Sequence, residues 1–290
     1  NVGLNLTDML VALPEIFLMS MVVVILLYES LSKNAKHATL YALSLIAIIG
    51  TGILGIYQYN ADFGMAGSFW YGEIIHTSLI GVLKLILVAI VGFGIIYSYP
   101  RLKSVDLANA EYYVLTLLST LGMLVLISAG SVLTLYIGLE LMSLPMYGLV
   151  ALNRKSKKGS EAAIKYFVMG AMASGILLYG MALLYGATGS LRFADLGVDI
   201  EELSFAGENR LLLFAVVFLI VGTVFKLGAA PFHSWVPDVY EGAPAPVAMF
   251  VGAAPKIAAF MMGVLLLHNV GFSLADKWKP LLAMIAIISF

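Results

Sequence analysis

Residues Leu227 to Val247 read LGAAPFHSWVPDVYEGAPAPV, and this stretch decides how the chain folds. Pro231, Pro237, Pro244 and Pro246 stand in it among several glycines, so no continuous helix can pass through. On either side are charge-poor runs, about Leu211 to Ala230 and Ala245 to Leu267, of the roughly 20 residues that a membrane-spanning helix needs. Broken backbone at membrane depth is tolerated where it is buried in protein or lines a watery cavity, and in transporters it marks ion sites. Lys226 stands directly before the break, and His233, Asp238 and Glu241 stand within it. A neutral imidazole can both give and take a proton, so His233 is expected to face a cavity as a proton carrier.

The rest of the chain has the same character. Of its 290 residues, 61% are hydrophobic and 11% charged, against about 45–50% and about 25% in an ordinary soluble domain. Its mean hydropathy is +0.99. So few charges suffice only where lipid replaces water over most of the surface. Further apolar runs lie at about Leu10 to Tyr28, Ala38 to Tyr57, Ile74 to Tyr97, Tyr112 to Ser128, Val132 to Leu152 and Ala162 to Tyr185, and a ninth begins at Pro280. The fold class expected is an all-α polytopic membrane bundle. The first run carries Pro14 and Glu15 with no basic residue ahead, which suits a span better than a signal peptide. The last run stops at Phe290 with its apolar surface uncovered, so the chain is expected to be the front of a longer polypeptide.

Charge placement sets an expected orientation. The loops after the first, third and fifth runs hold Lys33, Lys36, Arg101, Lys103, Arg154, Lys155, Lys157 and Lys158, whereas the opposite loops hold only Arg192, Arg210, Lys277 and Lys279. By the positive-inside rule the basic loops are cytoplasmic and the N-terminus lies outside. The segment Gly186 to Arg210, with Asp195, Asp199, Glu201, Glu202 and Glu208, then reads as a solvated acidic external loop. A net charge of -1 gives no field that would capture nucleic acid. Without cysteine there is no thiolate for an iron–sulfur cluster, so redox chemistry is expected on other chains, and no metal-ligand cluster is evident. Gly50-Thr51-Gly52-Ile53-Leu54-Gly55 matches the dinucleotide fingerprint letter for letter, but it falls inside a span with no strand ahead of it, and reads as close helix packing.

Five charges remain inside apolar runs: Lys84, Lys165, Lys226, Lys256 and one deep carboxylate, Glu140. Each costs roughly 2.5–3.5 kcal/mol at the bilayer centre, so they need partners, water or a task. Glu140 sits about 12 Å into the fifth run at 1.5 Å per residue, too deep to reach an interface, and Lys256 is similarly deep in the eighth. Lys165 is close enough to the basic loop for its stem to reach the headgroups. Burying a lysine lowers its proton affinity and a carboxylate within about 4–6 Å restores it, so a Glu–Lys pair that opens and closes is a proton switch. A static buried pair predicts one lysine per glutamate; three lysines against one glutamate in runs five to eight favour a relay.

Four motifs in this order then resemble a known family: Gly138-Leu139-Glu140-Leu141-Met142-Ser143-Leu144-Pro145, the EAAIKY around Lys165, FKLGAAPFHSWVPDVYEGAPAPV from Phe225 to Val247, and Lys256. Together they look like the antiporter-like membrane subunits of bacterial proton-pumping NADH-quinone oxidoreductase, complex I, and within them the subunit N branch, since sister branches tend to carry a histidine in this part of the eighth helix. The resemblance implies two inverted repeats, each with one broken helix. Residues 1–111 would be three N-terminal spans, 112–268 the first repeat with its proton half-channel, and 269–290 the start of the second repeat. It implies that Glu140 pairs with Lys226, with Lys165 beside the pair and Lys256 leading onward through the membrane. It places NADH, FMN, iron–sulfur clusters and quinone in partner subunits, with neighbouring antiporter-like and small membrane subunits as partners, and the chain in the bacterial inner membrane with a periplasmic N-terminus. Multisubunit sodium/proton antiporters share the fold and form the alternative. Pro255, just before Lys256, departs from the family pattern and is expected to kink the eighth span.

Overall fold

The computed structural model describes residues 6–32, 37–60, 67–196, 200, 210–270 and 274–290. Eight of its helices are long and apolar enough to cross a membrane: α1 (Leu13–Leu31), α2 (His37–Asn60), α3 (Ser78–Ser104), α4 (Ala110–Ile127), α5 (Val132–Val150), α6 (Lys157–Thr188), α7 (Arg210–Leu227) and α8 (Ala245–Asn269). A helical turn, Leu6–Val11, leads into α1; a short helix, Trp235–Gly242, separates α7 from α8; and α9 (Ala275–Ser289) follows. Each apolar run of the sequence is therefore a helix, and the differences in their bounds have local causes.

The third run does not begin as a helix. Ile74–His76 is a strand, β2, paired antiparallel with β1 (Gly67–Phe69), and α3 starts only after Thr77, whose hydroxyl accepts a hydrogen bond from the Ile80 amide at 3.2 Å. Apolar residues that would suit a span here pair within a hairpin instead. α6 starts five residues earlier than hydropathy suggests, because the Ser156 hydroxyl accepts from the Gly159 amide at 3.0 Å and caps a helix that begins inside the basic loop. α7 stops at Leu227, where Gly228 takes φ +73°, a left-handed conformation that suits a residue without Cβ. The break expected from the prolines is thus a true gap between two helices. α8, by contrast, runs continuously through Pro255.

α4 and α5 form the centre. α4 is the most buried span, with Tyr112 and Tyr113 fully enclosed. The two helices approach at Gly122, where an added Cβ would overlap the backbone of Leu141 and Met142, and the Ser119 hydroxyl donates to the Met142 carbonyl at 3.0 Å. On one flank, α2 packs between α1 and α3 through the glycines of the fingerprint-like motif: Gly50 faces Phe17, and Gly52 and Gly55 face Val88 and Leu85. Those glycines are packing surface, as their position inside a helix requires. On the other flank α6 and α7 pack together, Gly222 against Leu177 and Gly180 against Phe218.

The β1–β2 hairpin ties the first of these flanks to the turn between α4 and α5, at the end of the bundle opposite the basic loops. The Ile75 amide donates to the Ser128 carbonyl and the Gly130 amide to the Glu73 carbonyl, each at 2.8 Å. The hydroxyls of Ser131 and Thr134, at the start of α5, both donate to the Glu73 carboxylate. Of the acidic segment, Asp195 is described and accepts from the Ser190 hydroxyl at 3.1 Å. Asp199, Glu201, Glu202 and Glu208, like Lys33 and Lys36, lie outside the described residues.

A β-branched side chain at Gly122 has no room against the α5 backbone. Gly122→Val is expected to cost about 1–3 kcal/mol through overpacking, seen as a lower unfolding temperature in detergent; an unchanged temperature would show that the α4–α5 approach is not tight.

Candidate functional site

α5 presents Glu140, Ser143 and Tyr147 at spacings of three and four residues, which places them on one face of the helix. Facing them are Ser174 on α6 and Lys226 at the end of α7. The Ser174 hydroxyl donates to Glu140 Oε1 at 2.5 Å. Lys226 is buried, 8% exposed, and its Nζ donates to Ser143 Oγ at 2.9 Å and to the Tyr147 hydroxyl at 3.4 Å. The Ser143 hydroxyl donates its own hydrogen bond to the Leu139 carbonyl at 2.6 Å, so its oxygen is turned to accept from the lysine. The Tyr147 and Phe225 rings lie 5.8 and 6.0 Å from the ammonium and add cation–π contact. Among the described residues no ion pair within 4 Å joins Glu140 to Lys226. Two neutral hydroxyls hold the lysine about one helical turn along α5 from the carboxylate, and the carboxylate is held by a third.

Lys256 occupies the break itself. Its Nζ donates to the Leu227 carbonyl at 2.7 Å and approaches the Lys226 carbonyl at 3.4 Å, with the Trp235 ring 5.1 Å away. These are carbonyls that the end of α7 leaves without intrahelical partners, and a cation at a helix C-terminus also meets the negative end of the helix dipole. The Trp235 indole donates to the Phe225 carbonyl at 3.2 Å, which also accepts from the Gly228 amide at 3.0 Å. Lys226 and Lys256 therefore meet at one helix end, the first through its side chain on α5, the second on the first lysine's own backbone.

The other residues singled out in the sequence are placed elsewhere. Lys165 bonds Glu161 at 2.8 Å and Asp238 at 3.3 Å and is 42% exposed, so it ties α6 to the short helix Trp235–Gly242 and has no contact with Glu140 or Lys226. Lys158 reinforces that tie by bonding Glu241 at 2.8 Å, which holds the Glu241 carboxyl below its ordinary range. His233 is exposed in the turn before the short helix. Lys84 is not alone: its Nζ meets Glu15 Oε1 at 2.5 Å, with the two side chains 9% and 12% exposed. Glu15 is thus a second deep carboxylate, which its place beside Pro14 at the start of α1 concealed. At the end of β2, burial first and Lys84 second hold the His76 imidazole below its ordinary value against the opposing pull of Glu15. Ser143, Tyr147 and Ser174 were not distinguished in the sequence; the spacing of Ser143 and Tyr147 from Glu140 was the available signal.

A bundle of spanning helices, one of them interrupted by a gap at which lysines gather, has the architecture of an antiporter-like membrane protein. Residues 129–290 match the family described as "NADH:quinone oxidoreductase/Mrp antiporter, TM", and the chain belongs to that family. It is 42% identical to NADH-quinone oxidoreductase subunit N of Thiobacillus denitrificans, an alignment that covers 100% of this chain and 59% of that one. The chain thus spans a little over half the length of such relatives. In solved structures it is similar to a chain of respiratory complex I from Thermus thermophilus with bound aureothin, with a TM-score of 0.72 and 31% identity over 87% of this chain and 52% of that one. It shares its fold with a chain of the Mrp complex from Dietzia sp., at a TM-score of 0.70 and 21% identity over 90% of this chain and 49% of that one.

The Glu15–Lys84 pair generates a stability test. Lys84→Ala strands a buried carboxylate and is expected to cost about 3–5 kcal/mol, while Glu15→Gln with Lys84→Met together should recover most of that loss. Thermal unfolding in detergent reads both; equal losses in the single and double variants would show that the pair is not coupled.

Proposed function

We propose that this chain is the subunit N type of antiporter-like subunit in an NADH-quinone oxidoreductase, moving protons across the membrane while quinone is reduced in partner subunits. NADH, FMN, the iron–sulfur clusters and quinone are bound in those partners, which include neighbouring antiporter-like and small membrane subunits. The division into three N-terminal spans (1–111), a first repeat with a half-channel (112–268) and the start of a second (269–290) belongs to this reading. So does the location in a bacterial inner membrane with the basic loops cytoplasmic and the N-terminus periplasmic.

One observation carries the proposal: Lys226, buried at a helix break, rests on the hydroxyls of Ser143 and Tyr147 one turn away from Glu140. A lysine committed to a structural role would be closed on its carboxylate, as Lys84 is on Glu15. Residues three apart on a helix face are separated by about 5–6 Å, within the reach of a lysine's flexible stem. Lys226 can therefore swing from Ser143 to Glu140 without movement of the backbone. In the closed arrangement the carboxylate holds the proton on the lysine. In the open one, Ser174 holds the carboxylate and the proton is free to pass to Lys256 at the end of α7 once Lys256 has released its own. Lys165, tied to Glu161 and Asp238, stands at the basic-loop side, where it would control entry and not transfer; His233, exposed in the same break, would meet the path from outside this chain's core.

Two measurements on inverted membrane vesicles test this reading. Glu140→Gln should assemble normally yet lose coupled pumping, with acidification driven by NADH falling about tenfold or more, as for loss of one proton-transferring group. Lys226→Ala should do the same. Normal acidification in both variants would remove the pair from the path, and acidification driven by a sodium gradient without NADH would replace quinone coupling with ion exchange.

A further inference from the structure

Two cavities meet at the basic-loop end of the bundle. One, of about 410 Å³, is polar and is lined by Glu29 at the end of α1, His37 at the start of α2, Asp106 before α4, and Arg154 and Lys155 after α5. The other, of about 400 Å³, is mostly apolar and runs between α1, α4 and α5 along Leu26, Val114, Leu115 and Ala151. Glu29, Glu111, Leu152 and Arg154 line both. The two are therefore one site with a polar mouth and an apolar groove.

Some of the charges at the mouth are already settled. Arg154 donates to Glu111 at 2.8 Å. His37 donates through Nδ1 to the Ala108 carbonyl at 2.7 Å, and its other ring nitrogen lies 3.8 Å from Asp106. Glu29 and the Lys155 ammonium remain, one of each sign, and among the described residues neither has a side-chain partner. Below them, the groove lies beside the last turn of α5. Gly148 keeps it open, since a Cβ there would press on Leu115 at 3.2 Å. Water gains nothing in such a groove, and lipid fills it without loss.

We propose that this composite cavity binds a phospholipid whose headgroup carries both a phosphate and a primary ammonium. Lys155, with the remaining donors of Arg154, takes the phosphate; Glu29 takes the ammonium; one acyl chain lies along Leu26, Leu115 and Ala151. An anionic phosphoglycerol head matches the cations equally well but leaves Glu29 facing a ligand with no positive group. Among the described residues, the balance of charge at the mouth therefore favours the zwitterionic lipid.

The test uses the purified assembly that contains this chain, reconstituted with equal amounts of phosphatidylethanolamine and phosphatidylglycerol and then stripped with mild detergent, with retained lipid counted by native mass spectrometry. The native assembly should retain more phosphatidylethanolamine than a variant carrying Glu29→Gln and Lys155→Ala, by about two- to fivefold in retention, the worth of an exposed ionic contact. Retained phosphatidylglycerol should be the same in both. Both substitutions fall on exposed side chains outside the helix core, so assembly is preserved and can be checked by size. Equal phosphatidylethanolamine in the two assemblies overturns the proposal, as does a selective loss of phosphatidylglycerol, or a protein segment of a neighbouring subunit lying in the groove.

Discussion

A lysine ammonium held inside the membrane on hydroxyls instead of a carboxylate is the constraint around which the helices from α5 to α8 are arranged. Lys226 cannot reach bulk water, and on the lenient insertion scale a bare charge there costs roughly 2.5–3.5 kcal/mol. Ser143 and Tyr147 offset part of that by accepting its hydrogen bonds, and the aromatic faces of Tyr147 and Phe225 add more. The helix break is what allows this. It ends α7 one residue after Lys226, exposes the carbonyls of Lys226 and Leu227, and gives Lys256 a partner that does not compete for Glu140. Two cations thus share one helix end, and Glu140 remains uncommitted to either.

The N-terminal spans handle charge differently. Glu15 and Lys84 form a closed pair, one of each, with no hydroxyl between them. Such a pair fixes α1 to α3, and the hairpin Gly67–His76 then fixes α3 to the turn between α4 and α5 through backbone bonds and Glu73. The pair at Glu140 and Lys226 has neither feature: its members are apart, and the groups that hold them are neutral and short. A rigid flank beside a centre with a choice of partners is what a switch requires, because the motion is then confined to one side chain.

Much of this was legible in the sequence, and the reasons are physical. Hydropathy finds spans because lipid demands satisfied backbone, and prolines find the break because they cannot donate; both rules act on single residues in order along the chain. Glu140, Lys226 and Lys256 stood out because a charge inside an apolar run is conspicuous. Partnership is another matter, since it depends on which helix faces which. Lys165 was expected beside the Glu140–Lys226 pair, but Asp238 comes to it across the break and Glu161 lies one turn away on its own helix. Glu15, near the beginning of its run, reads as an edge residue until α3 brings Lys84 to it. Serines and tyrosines such as Ser143, Tyr147 and Ser174 are ordinary in membrane helices, so only contact distinguishes them. Strand Ile74–His76 reads as span because its residues are apolar, and only the Thr77 cap separates it from the helix.

The most direct measurement is the position of the Lys226 side chain in the full assembly, determined at high resolution at rest and during quinone reduction. At rest the ammonium should lie on Ser143 and Tyr147, as in this structure, and during turnover a second position against Glu140 should become occupied, one helical turn away and with the backbone of α5 and α7 unmoved. A single position in both conditions would contradict the account and make Lys226 a fixed part of the fold.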